Sequence, residues 1–258
     1  MNNLLTGKNF IIMGVANKRS IAWGIAKALN GAGANLIFTY QGERLKKEVE
    51  RLVPELNQEN TLLVECDVTS DDSIDSAFGT IAEQYPVVDG LAHCIAFAKT
   101  EELTGEYTNT SRDGFKLAHD ISAYSLVAVS KAVKPLLAEG GSILTLTYLG
   151  GERVVKNYNI MGVAKASLDA SVKYLANDLG QYNIRVNSIS AGPIRTLAAK
   201  GIAGFNENLK VIEEKSPLRR TTNPEEVGKA AIFLLSDLSS GVTGENLHVD
   251  SGYHIIGY

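Results

Sequence analysis

A tyrosine and a lysine seven positions apart are the residues of this chain best suited to chemistry. Tyr158 and Lys165 lie in the segment YNIMGVAK. On a helix, that spacing returns two side chains to nearly the same face, two turns apart, with a rise of about 10 Å. A phenol that can donate a proton and an ammonium group on one face suit reduction chemistry. The pair therefore predicts a reductive site that other elements must bring together with a cofactor.

The alternation of short apolar segments with longer helical patterns predicts the fold. Strands are expected at residues 9–15, 35–40, 61–66, 88–96, 142–147, 184–190 and 246–249, and helices at 20–30, 43–53, 71–84, 112–138, 158–181 and 224–236. Continuously apolar strands separated by helices are typical of a parallel sheet covered on both faces. We expect a single α/β domain over residues 1–258, a doubly wound Rossmann-type sheet of about seven strands. Tyr148, Tyr158 and Lys165 then fall at its carboxyl edge, where such folds bind ligands.

Composition and charge exclude several classes of protein. With 45% hydrophobic and 21% charged residues, the chain is typical of ordinary globular proteins. The net charge of −4 gives no support for nucleic-acid binding, which usually requires a basic surplus. The first residues lack a signal-peptide pattern, and no apolar run approaches the ~18 residues that cross a bilayer. We expect a soluble, cytoplasmic protein without membrane insertion.

The cysteines do not indicate a disulfide or a metal site. Cys66 and Cys94 each lie within an apolar run, so we expect two buried free thiols in a reducing compartment. No Cys/His spacing is typical of zinc ligands, and no metal is expected.

The turn after the first strand is a candidate phosphate-binding loop. Small residues there allow backbone N–H groups to approach a pyrophosphate at the start of the next helix, for which Ser20 is the expected N-cap. The spacing differs from G-x-G-x-x-G, because only Gly14 and Gly24 are glycines and Ala16, Ser20 and Ala22 lie between them. Taken alone, this motif is also compatible with an ordinary strand-to-helix turn.

The ends of the second and third strands suggest where adenosine would bind. Gln41 is neutral, so it can bond a ribose hydroxyl without repelling a 2′-phosphate. Arg44 and Lys47 could accommodate that phosphate, or could belong to a solvated helix face, which leaves NADH and NADPH open. Asp67 could accept a hydrogen bond from an adenine amino group. Alternatively, its carboxylate could stabilise the N-terminus of the next helix. His93 fits a packed strand residue better than a catalyst.

The chain resembles the short-chain dehydrogenase/reductase superfamily. The resemblance is carried by IRVNSISAGPIRT at residues 184–196 and GENLHVDSG at residues 244–252. The superfamily pattern places a lysine four residues after the tyrosine, but here position 162 is Gly162. Its strand-end serine is also missing, and Tyr148 stands in its place.

These departures resemble a narrower family, the bacterial enoyl-acyl-carrier-protein reductases. The loop from Gly14 to Gly24 and the segment TLTYLGG at residues 145–151 are similar to signatures of that family. The resemblance covers essentially the whole chain. The resemblance implies Tyr148, Tyr158 and Lys165 as catalytic residues and NADH, with NADPH left open, as cofactor. It assigns cofactor contacts to Gly14, Ser20, Ile21, Gln41, Asp67, Val68, Ile95, Lys165, Ile194 and Thr196. It assigns substrate contacts to Ala98, Tyr148, Tyr158, Ala198, Ile202 and Phe205.

The unusual spacing fits the chemistry that this resemblance implies. In a ketone, the carbon that receives hydride carries the oxygen to be protonated. In an enoyl thioester, hydride goes to C3 while negative charge collects on the oxygen at C1, so the donor must reach further. Three extra positions move Tyr158 by up to ~4.5 Å along a helix. We expect Tyr158 to stabilise the enolate, Lys165 to hold the nicotinamide ribose and lower nearby phenol pKa values, and Tyr148 to position the acyl chain or assist protonation.

Residues 195–216 form an expected substrate lid without a deep-core pattern. The lid would cover a fatty acyl chain, although a plain surface helix is the alternative. Acyl carrier proteins are acidic, so Arg195, Lys200 and Lys210 are candidate docking charges or ordinary surface cations. The apolar C-terminal residues 253–258 could close a subunit interface or pack within their own subunit, and the resemblance implies a homotetramer.

Two other functions compete with enoyl reduction. A carbonyl-specific short-chain reductase, such as a ketoacyl reductase, is disfavoured by the absent Tyr-x-x-x-Lys pattern and serine. A non-catalytic dinucleotide-binding sensor is disfavoured because a sensor needs no proton donor such as Tyr158.

Overall fold

Seven parallel strands form one sheet in the computed structural model, which describes residues 3–196 and 204–257. The strands are β1 (Asn9–Met13), β2 (Asn35–Tyr40), β3 (Leu62–Glu65), β4 (Val88–His93), β5 (Leu137–Thr147), β6 (Arg185–Ala191) and β7 (Asn246–Val249). Their order across the sheet is β3-β2-β1-β4-β5-β6-β7. The order reverses between β1 and β4, which creates the crevice where open α/β sheets bind dinucleotides. The predicted Rossmann-type sheet is confirmed.

The helices that connect these strands cover both faces. They are α1 (Ile21–Gly31), α2 (Gly42–Leu52), α3 (Asp71–Gln84), α4 (Arg112–His119), α5 (Ser125–Val133), α6 (Asn159–Gly180), α7 (Phe205–Lys215) and α8 (Pro224–Leu235). Alternate residues of β1 enter opposite cores: Phe10 and Ile12 pack with α1 and α8, and Ile11 and Met13 pack with α3, α5 and α6. Burial on both faces explains why the strands are continuously apolar.

The long helix predicted over residues 112–138 is wrong. The helix is interrupted by a π turn (Asp120–Tyr124) between α4 and α5, and β5 already begins at Leu137. Pro135 lies in the 3₁₀ turn that ends the helical segment, where it can donate no backbone hydrogen bond. π turns are frequent at functional sites, and this one directs polar side chains toward the end of β4.

Gly24 has a packing role that its predicted place in the cofactor loop did not indicate. A Cβ on Gly24 would lie 2.6 Å from the backbone carbonyl of Pro224, and a Cβ on Gly228 would lie 2.7 Å from the carbonyl of Gly24. The two glycines therefore allow α1 and α8 to cross closely on one face of the sheet.

None of the helices that the structure describes is both long and apolar enough to cross a membrane.

Candidate functional site

The turn after β5 brings two tyrosines together. Tyr148 follows the last strand residue, and Tyr158 is the N-cap of α6. Their rings meet edge to face, with centroids 5.0 Å apart and an interplanar angle of 73°. Within the described part of the chain, neither hydroxyl has a hydrogen-bond partner, so both phenols are available to donate to a substrate.

The same turn explains why position 162 carries no lysine. A Cβ on Gly162 would lie 2.7 Å from the carbonyl oxygen of Gly150. A Cβ on Gly150 would in turn lie 2.5 Å from the Tyr158 ring. This close packing leaves no room for a side chain at position 162. The first lysine of α6 is therefore Lys165, one turn later.

Lys165 is a buried cation at the edge of the sheet. Its side chain is 6% exposed, and Nζ donates to the carbonyl oxygen of Leu146 at 2.7 Å. Burial lowers the pKa of Lys165 to about 8, against the opposing effects of Asp169 and Cys94. The ammonium group is therefore fixed in direction and close to titration at neutral pH.

The two phenols stay protonated. Burial, reinforced by Tyr148 and Asp169, raises the pKa of Tyr158 far above its ordinary value. Burial, together with Tyr253 and Asp250, raises the pKa of Tyr148 to about 12. The expectation that Lys165 lowers the phenol pKa values is therefore wrong, because desolvation of the phenolate dominates. Protonated phenols suit hydrogen-bond donation.

His93 is a packed strand residue, as the sequence indicated. Nδ1 lies 3.1 Å from the Thr145 hydroxyl and Nε2 lies 2.8 Å from the Ser125 hydroxyl. Burial, with a further contribution from the Lys165 charge, lowers the pKa of His93 to about 3, so the ring is neutral. Ser122, in the π turn, accepts from the backbone N–H of Phe97 at 3.0 Å. Ser122 and Ser125 thus hold the end of β4 and the segment after it. The sequence did not indicate this role, although both serines interrupt an apolar helical pattern.

The loop after β1 is held by backbone geometry. Gly14 has φ of 90°, and a Cβ there would collide with the carbonyl of Cys94. The Ser20 hydroxyl accepts from the backbone N–H groups of Ala16 at 3.0 Å and Asn17 at 3.1 Å. Ser20 is the N-cap residue of α1, as expected, but its hydroxyl makes no bond to the helix and holds the loop instead. At the start of α1, the backbone N–H groups of Trp23 and Gly24 donate to the Ser20 carbonyl, whereas those of Ile21 and Ala22 have no intrahelical acceptor and can face an anion.

Gln41 and Asp67 lie together beyond the ends of β2 and β3. Asp67 Oδ1 accepts a hydrogen bond from the Thr69 backbone N–H at 2.9 Å. Burial raises the pKa of Asp67, but the hydrogen bonds from Thr69 and Gln41 together outweigh it, and the pKa is lowered. Ser70, and not Asp67, caps α3 through the N–H of Ser73. Val68 is 8% exposed and packs in the core. The Asp67 carboxylate is thus held by Thr69 and Gln41 and does not cap α3.

One of the expected cofactor contacts follows β4, and two lie in the loop after β6. Ile95 is partly buried against the core behind β4. Ile194 is 8% exposed in the opposite core, and the Thr196 N–H donates to its carbonyl at 2.7 Å. Arg44 and Lys47 are exposed on α2, so that face is solvated and still accessible to a phosphate.

The substrate residues are only partly within the described chain. Ala98 and Tyr158 pack against the same small apolar cluster, formed by residues that include Ile160 and Met161. Phe205 begins α7, whereas Ala198 and Ile202, like the docking candidate Lys200, lie outside the described residues. Leu209 and Ile212 in α7 are 4% and 6% exposed. The absence of a core pattern expected for residues 195–216 is therefore wrong for α7.

The C-terminal segment packs beside the tyrosines. The rings of His248 and His254 stack at 4.0 Å, and His254 Nδ1 lies 3.0 Å from Asp250. Within the subunit this fixes part of the apolar end, but Ile255 remains 66% exposed.

The chain is similar over its length to known proteins. The family model described as "Enoyl-(Acyl carrier protein) reductase" matches residues 14–254. The chain belongs to the enoyl-acyl-carrier-protein reductase family. Enoyl-[acyl-carrier-protein] reductase [NADH] FabI of Bacillus subtilis (strain 168) is 68% identical over 99% of both chains. The [NADPH] FabI of Staphylococcus aureus (strain MRSA252) is 59% identical over 98% of both. The crystal structure of the Bacillus cereus enoyl-acyl carrier protein reductase with NADP⁺ and indole naphthyridinone is 64% identical, with full coverage of both chains and a TM-score of 0.98.

Members of this family thus include both an [NADH] and an [NADPH] enzyme among relatives of similar length. Cofactor choice must therefore depend on local residues at the adenosine end, and not on the fold.

Proposed function

We propose that this protein reduces the trans-2 C=C bond of enoyl thioesters carried on acyl carrier protein, with NADH as hydride donor, in the last reductive step of bacterial fatty-acid elongation. The observation that carries the proposal is the joint arrangement of two unpartnered phenols at the sheet edge and a buried ammonium seven positions after Tyr158. Family membership supplies the substrate class.

The residues present fit a dinucleotide. The loop from Gly14 to Ser20 would hold the pyrophosphate, and Gln41 with Asp67 would hold the adenosine. Ile95, Ile194 and Thr196 would line the path to the nicotinamide, whose ribose Lys165 would hold. When bound, the reduced nicotinamide supplies hydride. The absence of a carboxylate at position 41 leaves NADPH usable, as in the staphylococcal relative.

Tyr158 supports the developing charge. As hydride reaches C3 of the substrate, electron density moves to the thioester oxygen at C1. The Tyr158 hydroxyl donates a hydrogen bond to that oxygen, and its raised pKa keeps it a donor throughout the working range. The enolate then takes a proton at C2, which completes the saturated thioester.

Tyr148 and the residues before α4 shape the acyl site. Tyr148 packs its ring against Tyr158 and positions the acyl chain or assists protonation. Ala98 lies against the same cluster as Tyr158. Phe205, with Ala198 and Ile202, would cover the chain from a lid over residues 195–216, so that water is excluded while the enolate exists.

The wider setting follows from the same proposal. The chain acts as one catalytic unit over residues 1–258 and works in the cytoplasm, consistent with the free cysteines Cys66 and Cys94. The exposed Ile255 and the edge strand β7 support a homotetramer. Arg195 is exposed and remains a candidate for docking the acidic carrier.

A spectrophotometric assay separates the candidate functions. NADH and NADPH oxidation is followed with crotonyl thioester and then with a ketoacyl thioester. Oxidation with the enoyl substrate alone supports the proposal; oxidation with the ketoacyl substrate indicates a carbonyl reductase; no oxidation with either indicates a sensor. Full turnover in both Tyr158→Phe and Lys165→Met, with the fold intact by circular dichroism, would show that the site is wrongly assigned.

A further inference from the structure

Asp169 is a carboxylate in an unusual position. It lies one turn after Lys165 on α6, on the same side of the helix. Its Oδ1 atom is completely buried and has no hydrogen-bond partner among the described residues. The buried hydroxyl of Thr147 lies beside it without reaching hydrogen-bond geometry and is also unpartnered. The sequence did not single out either residue.

The turn that carries Tyr148 presses against this carboxylate. A Cβ on Gly151 would lie 2.6 Å from Asp169 Oδ2, so only glycine admits the carboxylate at that place. The Asp169 side chain packs against the turn through Oδ2, and its Oδ1 is buried. Its position is fixed by the same packing that fixes the tyrosines.

The groups that interact electrostatically with Asp169 and Lys165 come from α6, from the turn after β5 and from the end of β4. Asp169 interacts with Lys165 and Lys173 on its own helix, with Glu152 from the turn and with Tyr158. Lys165 interacts with Asp169, and with His93 and Cys94 at the end of β4. His93 is neutral, so Asp169 is the carboxylate that opposes the desolvation of Lys165.

An unpartnered buried carboxylate is costly and is usually found where a charge compensates it. Burial raises the pKa of Asp169, and the Thr147 hydroxyl and Lys165 act against that shift. The reciprocal effect keeps protons on Lys165, whose own burial favours the neutral amine. Removing the carboxylate would leave only the weaker effect of Cys94 to oppose that burial.

We propose that Asp169 is a positioning residue: its carboxylate, one turn after Lys165 on α6 and buried beside Thr147, holds Lys165 as an ammonium group at the sheet edge. Its effect on turnover rests on the proposed function, whereas its effect on dinucleotide binding does not. Asp169 touches neither substrate nor cofactor in this role and acts through Lys165 alone.

The test is the pH dependence of NADH binding, followed by NADH fluorescence, and of kcat/KM for NADH with crotonyl thioester. In Asp169→Asn, the basic limb of both profiles is expected to move by about one unit to lower pH. Asp169→Glu restores the limb. Asp178→Asn, which removes an exposed carboxylate from the same helix, leaves it unchanged.

An unchanged basic limb in Asp169→Asn, with lower thermal stability, would show a merely structural role and overturn the proposal. If Asp169→Asn does not fold, Asp169→Ser, a smaller neutral variant, is measured in the same way with the same two outcomes. Failure of the wild type to reduce crotonyl thioester would overturn the proposed function, and the fluorescence titration would still decide the role of Asp169.

Discussion

The two sides of the site, on opposite sides of the crevice, are built in different ways. The loop from Gly14 to Ser20 is shaped by its backbone: one glycine with positive φ and one serine hydroxyl that binds two N–H groups. The β5–α6 side depends on buried side chains, of which Lys165 and Tyr158 have strongly shifted pKa values. The loop can bind an anion at any pH, whereas the β5–α6 side depends on protonation. Anion binding by the loop and the functions that depend on Lys165 should therefore respond differently to mutation and to pH.

The largest effect is expected from Lys165→Met. Loss of the ammonium would remove the proposed ribose contact, and kcat/KM for NADH should fall by about 10³-fold. Steady-state kinetics with crotonyl thioester measures this. Lys131→Met, an exposed lysine on α5, should stay within about twofold of wild type. A decrease below tenfold in Lys165→Met would remove the lysine from the chemistry.

Gly14→Ala tests the loop side. The new methyl group meets the Cys94 carbonyl and must adopt positive φ, so we expect a cost of about 2–4 kcal/mol and an increase in the NADH dissociation constant of about 10²-fold. Fluorescence titration measures the constant. Gly7 has a similar positive φ but open space around it, so Gly7→Ala measures the cost of the backbone conformation without the clash. Equal behaviour of the two variants would show that close approach to β4 is unimportant.

Gly162→Ala tests the packing that sets the Tyr–Lys spacing. Its Cβ would lie 2.7 Å from the Gly150 carbonyl, and we expect a loss of stability of about 1–3 kcal/mol. Urea unfolding measures the change. Gly79→Ala, in α3 with no atom within 4 Å, should be stabilised by about 0.5–1 kcal/mol. A stable Gly162→Ala variant would mean that the turn adapts and does not exclude a side chain.

The smallest effect is the pH response of the wild type. Because the pKa of folded Lys165 is lowered to about 8, its charge is present below that pH and is lost above it. The value of kcat/KM for NADH should fall about tenfold per pH unit above about pH 8. In the unfolded state Lys165 has its ordinary pKa of 10.5, so between about pH 8 and that value the unfolded state binds more protons than the folded state. The contribution of Lys165 to the free energy of unfolding therefore rises with pH over this window. A parallel loss of stability would attribute the decline to alkaline unfolding.

The strands and most helices could be predicted because burial on both faces leaves continuous apolar runs. The bounds of α3 and β7 agree with the predicted ranges. The π turn could not be predicted, since it depends on Ser122 and Ser125 reaching β4 rather than on local propensity. The buried residues of α7 were missed because charged neighbours hide Leu209 and Ile212 in the sequence.

The candidate site was predictable where a residue type is itself unusual. Tyr158 and Lys165 stand out by their chemistry, and the structure places them at one edge. Asp169 and Thr147 were not predictable, because a carboxylate on a helix has the same appearance in a sequence whether it is solvated or buried. The direction of the phenol pKa shifts also required the structure, since desolvation depends on tertiary packing.

The most direct test of enoyl reduction at this site is the fate of the transferred hydrogen. Wild-type protein is incubated with crotonyl thioester and NADH carrying deuterium at C4, and the product is examined by mass spectrometry and NMR. We expect deuterium at C3 of a saturated thioester whose carbonyl is intact, with the yield lost in Tyr158→Phe. Deuterium on the former carbonyl carbon, or an unreduced C=C bond, would contradict the assignment.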